Sequence, residues 1–178
     1  MDLYEATPLM NYPYLPEGRT IKHVSVSNEF MREAKLIRDQ RSTERNYPTG
    51  AVLVLDSQII EREANKPAFK NKKLQQLHKN GWCVRQWFKI PSGKGYWTCP
   101  GCAKCRHHAE SRVVKAALKR HGSIQGADLY LYGHWWCCKP CWDTMRAAGV
   151  RDVYLVEGAF ELFEKREYVR ATAQESRH

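Results

Sequence analysis

HAESRVVKAALKR (His108–Arg120), DLYLY (Asp128–Tyr132), CKPCWDTMRAA (Cys138–Ala148) and RDVYLV (Arg151–Val156) together form the stretch that decides the fold. Ala109–Arg120 reads as a helix that stops at His121-Gly122. Asp128–Tyr132 is rich in strong β-formers and reads as a strand. Pro140–Ala148 reads as a second helix, closed by Gly149. Arg151–Val156 is the next strand. A strand–helix–strand unit of this kind is expected to be a right-handed parallel crossover.

Working outward, Met1–Val26 carries Pro8, Pro13 and Pro16 and is expected as an extended N-terminal arm. Asn28–Gln40 is expected as a helix whose apolar face is Phe30, Ala34, Leu36 and Ile37. Gly50–Leu55 reads as a buried strand, turned at Asp56-Ser57 into a second strand, Gln58–Glu63. Lys66–Gly95 is irregular and basic, with a short helical stretch near Leu74–His78, and Trp82, Trp87 and Trp97 are expected as its own small core. Phe160–Arg166 closes the pattern with a short helix. The order α-β-β-α-β-α-β-α predicts an α/β fold, a three-layer α/β/α sandwich with a mixed sheet covered by helices. The division expected is an arm at 1–26, one domain at 27–166 with an insert at 66–105, and a loose polar tail at 167–178.

Residues 108–141 also carry the chemistry. His108, Cys138 and Cys141 are two thiolates and an imidazole, which suits a borderline-soft ion such as Zn²⁺ and leaves a fourth position for water. Cysteines three apart at a helix start share a face, and a helix N-terminus favours thiolate over thiol. His108 is expected at the very start of its helix, so that Glu110, two residues on, faces the metal-bound water without binding the metal. Zinc lowers that water's pKa toward neutrality, and Glu110 is expected to carry its protons. A lone His or C-x-x-C is more often structural, but the H-x-E … C-x-x-C order matches the handling of an activated water beside a free carboxylate.

The chain has 178 residues and net charge +10, enough for one domain with a proper core and suited to an anionic partner. Basic residues cluster in Lys66–Lys79 and Lys115–Arg120, without an arginine-aromatic repeat or RNA-binding motif. No apolar run is long enough to span a membrane, and Met1–Arg19 does not read as a signal peptide, so a cytoplasmic protein is expected. Seven cysteines, an odd number, argue for metal binding or chemistry rather than a disulfide framework.

These motifs resemble the cytidine/deoxycytidylate deaminase superfamily, and within it the deoxycytidylate (dCMP) deaminases, over about Asn28–Phe163. Arg41-Ser42-Thr43 leading to Gly50-Ala51-Val52-Leu53-Val54 carries the resemblance, as do His108-Ala109-Glu110 and Cys138/Cys141. So does Cys83-Val84-Arg85 with Ile90-Pro91-Ser92-Gly93 and Cys99. It implies the cytidine deaminase type of sandwich. It implies hydrolysis of dCMP to dUMP and ammonia, with zinc-bound hydroxide attacking C4 and Glu110 as proton shuttle. It implies Asn65 at the substrate sugar, an oligomer (often a hexamer), and regulation by dCTP and dTTP. Ala109 and Trp136 are expected at the substrate, with Trp136 or Trp135 walling the base and the other in the core. Lys66, Lys70, Arg85 and Arg112 are the candidates for a phosphate contact, and His134 is a candidate for a phosphate contact or a strand cap.

Three departures stand out. Cys137 replaces the usual proline before the first zinc cysteine, Arg112 replaces an asparagine, and Cys99-Pro-Gly-Cys102-Ala-Lys-Cys105 is an extra cluster. Cys83, Cys99, Cys102 and Cys105 have the spacing of a structural zinc, with His78 and His107 as alternates. Two other functions stay open at this level: a base deaminase acting on tRNA or single-stranded DNA, which the charge permits and the insert argues against, and a non-catalytic zinc module, which has no use for Glu110.

Overall fold

The computed structural model describes residues 12–44, 47–69, 71–90, 95–102 and 104–164. The tail and residues 1–11 of the expected arm lie outside the described residues. Among those described, five strands form one mixed sheet in the order β1-β5-β4-β2-β3. The strands are β1 (Ile21–Val24), β2 (Gly50–Leu55), β3 (Gln58–Ala64), β4 (Asp128–Tyr132) and β5 (Val153–Val156). β2 pairs antiparallel with β3 and β4, whereas β4–β5 and β5–β1 are parallel. The helix α5 (Lys139–Ala147) connects β4 to β5.

Every residue of β4 is buried, and so is all of β2 up to its last residue. A strand buried on both faces needs cover on both sides. The helices α1 (Glu29–Arg41) and α4 (Ala109–His121) both pack on β2, β3 and β4 and supply it. Asn28 caps α1, its side-chain oxygen accepting from the Phe30 and Met31 amides at 3.0 and 3.1 Å. The helix backbone lies directly on β2, because a Cβ at Gly50 would strike the Ala34 carbonyl and the Arg38 backbone.

Two expectations about these elements change. Ile21–Val24, read as part of an extended arm, is an edge strand in register with Val153–Val156. On α1 the buried residues are Met31, Ala34 and Ile37, and Leu36 is exposed. Leu36 sits two residues from Ala34, so it faces the other side of the helix.

The insert folds into α2 (Lys72–Lys79), α3 (Val84–Trp87) and two 3-10 turns, Tyr96–Thr98 and Cys105–His107. Its tryptophans do not make a core. Trp82, Trp87 and Trp97 are 38%, 58% and 79% exposed, and Trp82 and Trp87 meet edge to face at 5.8 Å. The buried centre of the insert is instead Cys83, Cys99 and Cys102, with Val84 against them. The helix α6 (Ala159–Phe163) ends the described chain.

Candidate zinc centre and active site

Two helix starts converge on one point. His108 is the N-cap of α4, with extended backbone (φ −65°, ψ 153°), and Cys138 is the N-cap of α5 with nearly the same angles (φ −71°, ψ 156°). Neither side chain is spent on capping its own helix. Pro140 fits the first turn of α5, where no amide is needed. Cys141 follows one turn after Cys138, its amide donating to the Cys138 carbonyl at 3.0 Å.

The distances fit a zinc ion. Zn–S bonds of about 2.3 Å and Zn–N bonds of about 2.0–2.1 Å at tetrahedral angles place S and N about 3.6 Å apart. His108 Nδ1 lies 3.6 Å from Cys138 Sγ and 3.5 Å from Cys141 Sγ. Ser111 Oγ sits 3.5 Å from Cys141 Sγ, close enough to orient that ligand. Glu110, buried in the first turn of α4, brings a carboxylate oxygen within 4.8 Å of the His108 and Cys141 ligand atoms. Cys105, expected with the insert cysteines, is placed here instead, its sulfur within 4.8 Å of a His108 ring nitrogen and the Cys138 sulfur. The 3-10 turn at Cys105–His107 leads straight into His108 and carries Cys105 away from the insert. His107, the other alternate for a second metal, belongs to neither cluster among the described residues.

A cavity of about 50 Å³ opens beside Glu110. Asn65, Ala109 and Trp136 line it, as do Arg85, Cys102 and His134. Asn65 also ties the loop below the pocket: its oxygen accepts from the Thr49 amide (2.9 Å) and the Ser42 hydroxyl (2.6 Å), and its nitrogen donates to the Tyr47 carbonyl (2.7 Å). An amide nitrogen carries two protons, so a second remains for the pocket. Trp136 lies at the pocket, while Trp135 is buried between Tyr12 and Phe160.

His134 accepts from the Trp135 and Trp136 amides at Nδ1 (3.1 and 3.3 Å). Burial, then the nearby His108 ring, hold its pKa down to about 4, so it is neutral with its proton on Nε2. Cys137, in the place of the usual proline, is fully buried. Burial first and the Glu110 carboxylate second push its thiol well above the ordinary range, so it stays protonated.

The four phosphate candidates separate. Arg85 lines the cavity, and Lys66 is not among the lining residues. Arg112 is committed to β3, donating to the Ala64 carbonyl (2.9 Å) and the Glu63 carboxylate (2.7 Å). Lys70 lies outside the described residues. Glu44, Tyr47 and Thr49 line the cavity without having been singled out from the sequence. Nothing local marks them; they reach the pocket because the α1–β2 loop passes under Asn65.

A family model described as the cytidine and deoxycytidylate deaminase zinc-binding region matches residues 24–157. A search of curated proteins found no match. Similar solved structures include one from work on A-to-I editing by tRNA:A34 deaminases at the wobble position, at 25% identity over 72% of this chain and 75% of that one, TM-score 0.42. The dCMP deaminase of the cyanophage S-TIM5 is similar at 18% identity over 78% and 89% of the two chains, TM-score 0.42. A Thermotoga maritima diaminohydroxyphosphoribosylaminopyrimidine deaminase/reductase is similar at 20% over 78% of this chain and 33% of that one, TM-score 0.42.

Proposed function

We propose that this chain, which belongs to the cytidine and deoxycytidylate deaminase zinc-binding family, is a zinc-dependent hydrolytic deaminase of a free cytosine nucleotide, with dCMP as its substrate. The observation that carries the reading is Glu110: a buried carboxylate that lines the cavity and lies within 4.8 Å of the His108 and Cys141 ligand atoms. A bound zinc ion supplies activation of a water for attack on the ring carbon that bears the amine. His108, Cys138 and Cys141 would hold that ion. Glu110 takes a proton from the attacking water and delivers it to the ring nitrogen beside the reacting carbon. It then passes the second proton to the departing amine, so that a C–O bond forms, the C–N bond breaks and ammonia leaves. Trp136 offers a face for the base, Asn65 a donor for the sugar, and His134 Nε2 a further donor in the pocket.

The test is ammonia release across dCMP, CMP, dCTP, deoxycytidine, tRNA and a single-stranded DNA oligomer. Turnover of dCMP well above deoxycytidine supports the reading, because a site built around a charged group loses most when that group is missing. Equal rates on the two reject it. One observation favours a nucleic-acid substrate: the insert exposes Trp87, Phe88 and Trp97 on a basic chain, a surface on which bases can stack. Robust deamination of either polymer with none of dCMP decides for that second reading. Homo-oligomerisation and dCTP/dTTP control belong to the same proposal. Sedimentation of the purified chain and assays with each triphosphate test them. No helix of the described residues is long and apolar enough to cross a membrane.

A further inference from the structure

The centre of the insert is a second cluster of ligand-type side chains. His78, Cys83, Cys99 and Cys102 are buried, and their ligand atoms all lie within 4.8 Å of one another. Cys102 Sγ is 3.6 Å from Cys83 Sγ and 3.7 Å from His78 Nε2. A disulfide would bring two sulfurs to about 2.05 Å. Around a tetrahedral zinc, sulfurs sit about 3.8 Å apart and sulfur and nitrogen about 3.6 Å, from Zn–S near 2.3 Å and Zn–N near 2.0–2.1 Å. The observed separations are those of ligands around an ion.

The local structure serves the cluster. His78 comes from the last turn of α2 and Cys83 is the N-cap of α3, without capping it. Cys99-Pro100-Gly101-Cys102 makes a tight turn, closed by the Cys102 amide on the Cys99 carbonyl at 3.1 Å. A Cβ at Gly101 would run into the His78 ring, so glycine there lets the turn close onto the histidine. Buried cysteines alone often pack as small apolar groups. A histidine aimed into three of them is a polar group placed for binding, and the insert has no other buried apolar cluster among the described residues.

The cluster touches the active-site cavity. Arg85, one residue past Val84 on α3, is buried, and its Nη1 lies 3.8 Å from Cys102 Sγ. Arg85 and Cys102 both line the cavity with Glu110, and Arg85 is the one arginine or lysine among its described lining residues. Glu44 lines the same cavity and brings an opposing charge. The guanidinium fork has five donors, enough to hold a neighbour in the wall and still meet an incoming oxyanion.

We propose that His78, Cys83, Cys99 and Cys102 bind a second zinc ion, separate from the one at His108, Cys138 and Cys141, and that this ion holds Arg85 in the cavity wall to receive the phosphate of the substrate. The second half rests on the nucleotide reading above; the metal itself does not.

Elemental analysis of the full chain purified without chelator is expected to give about two zinc ions per chain, one per ligand set. Cadmium-substituted wild-type protein is expected to show two ¹¹³Cd resonances, one from a three-sulfur set. A single ion and a single resonance overturn the metal site without reliance on any variant. Cys99→Ser, which changes a ligand outside the cavity, is expected to lose one ion and keep the other, and to raise KM for dCMP more than it lowers kcat. Arg85→Gln is expected to keep both ions and shrink the kcat/KM preference for dCMP over deoxycytidine by about tenfold or more, as hydrogen bonds to charged groups are strong, with Arg85→Lys in between. An unchanged preference in Arg85→Gln overturns the role of Arg85. Failure to deaminate any cytosine nucleotide takes that role down with the nucleotide reading, and leaves the ion count to be judged on its own.

Discussion

The two sulfur clusters are built in opposite ways. His108, Cys138 and Cys141 sit on the first turns of α4 and α5, and those helices bury Val113, Val114, Ala117, Trp142 and Met145 in the main core. Their geometry is set by packing on the sheet, so the site exists before any ion arrives. The insert cluster rests on two short helices and two turns that leave Leu77, Trp87, Phe88 and Trp97 exposed. Ordering each residue costs about 1–2 kcal/mol of backbone entropy. A structural zinc site supplies about 10–16 kcal/mol in zinc-finger peptides. In one region the fold makes the site; in the other, under the proposed second zinc, the site would make the fold.

The largest test of this contrast is chemical. Glu110→Gln is expected to keep zinc at the core site while kcat falls by about 10²–10⁴-fold or more, since general acid–base groups contribute that much and this one moves several protons. Near-normal turnover with full metal would remove Glu110 from its role. Next comes metal removal. Chelation is expected to open the insert to proteolysis between residues 66 and 105 while β2, β4 and β5 keep their amide-exchange protection; cleavage spread evenly along the chain would erase the distinction between the two regions.

A finer probe is Gly101→Ala. Its methyl group meets the His78 ring, and overpacking of this kind costs about 1–3 kcal/mol. The loss should appear as weakened affinity at the proposed insert site, read by competition with a chelator, with the main unfolding transition little changed. The smallest effect is expected from Cys105→Ser. Cys105 lies by His108 and Cys138 and outside the insert set, so the insert ion should be retained with affinity changed by less than about tenfold. Loss of that ion would return Cys105 to the set expected from spacing, since each such site takes four ligands.

Much of the molecule was legible along the chain because it is local. Helix α4, strand β4, helix α5 and strand β5 announce themselves by turn residues and β-formers, and the three candidate ligands of the core site fall in first turns that the same signals mark. The covering of a mixed sheet by helices follows from the order of those elements, and the matched family region spans them. Spacing also grouped Cys83, Cys99 and Cys102, which the structure brings together.

Distance along the chain could not assign partners across space. Ile21–Val24 becomes a strand only because β5 offers it an open parallel edge. Cys105 is three residues from Cys102 yet lies with the other cluster, because it opens the 3-10 turn that leads into His108; His78, far upstream, joins the insert set instead. Arg85 and Arg112 were equal candidates as residues. Burial beside the cavity distinguishes the first, and the Glu63 carboxylate claims the second. The local pattern chose the elements and the chemistry they carry, since propensity, capping and ligand type act over a few residues. Which side chains share a site was settled by packing and pairing between distant segments, because those contacts exist only once the chain has closed on itself.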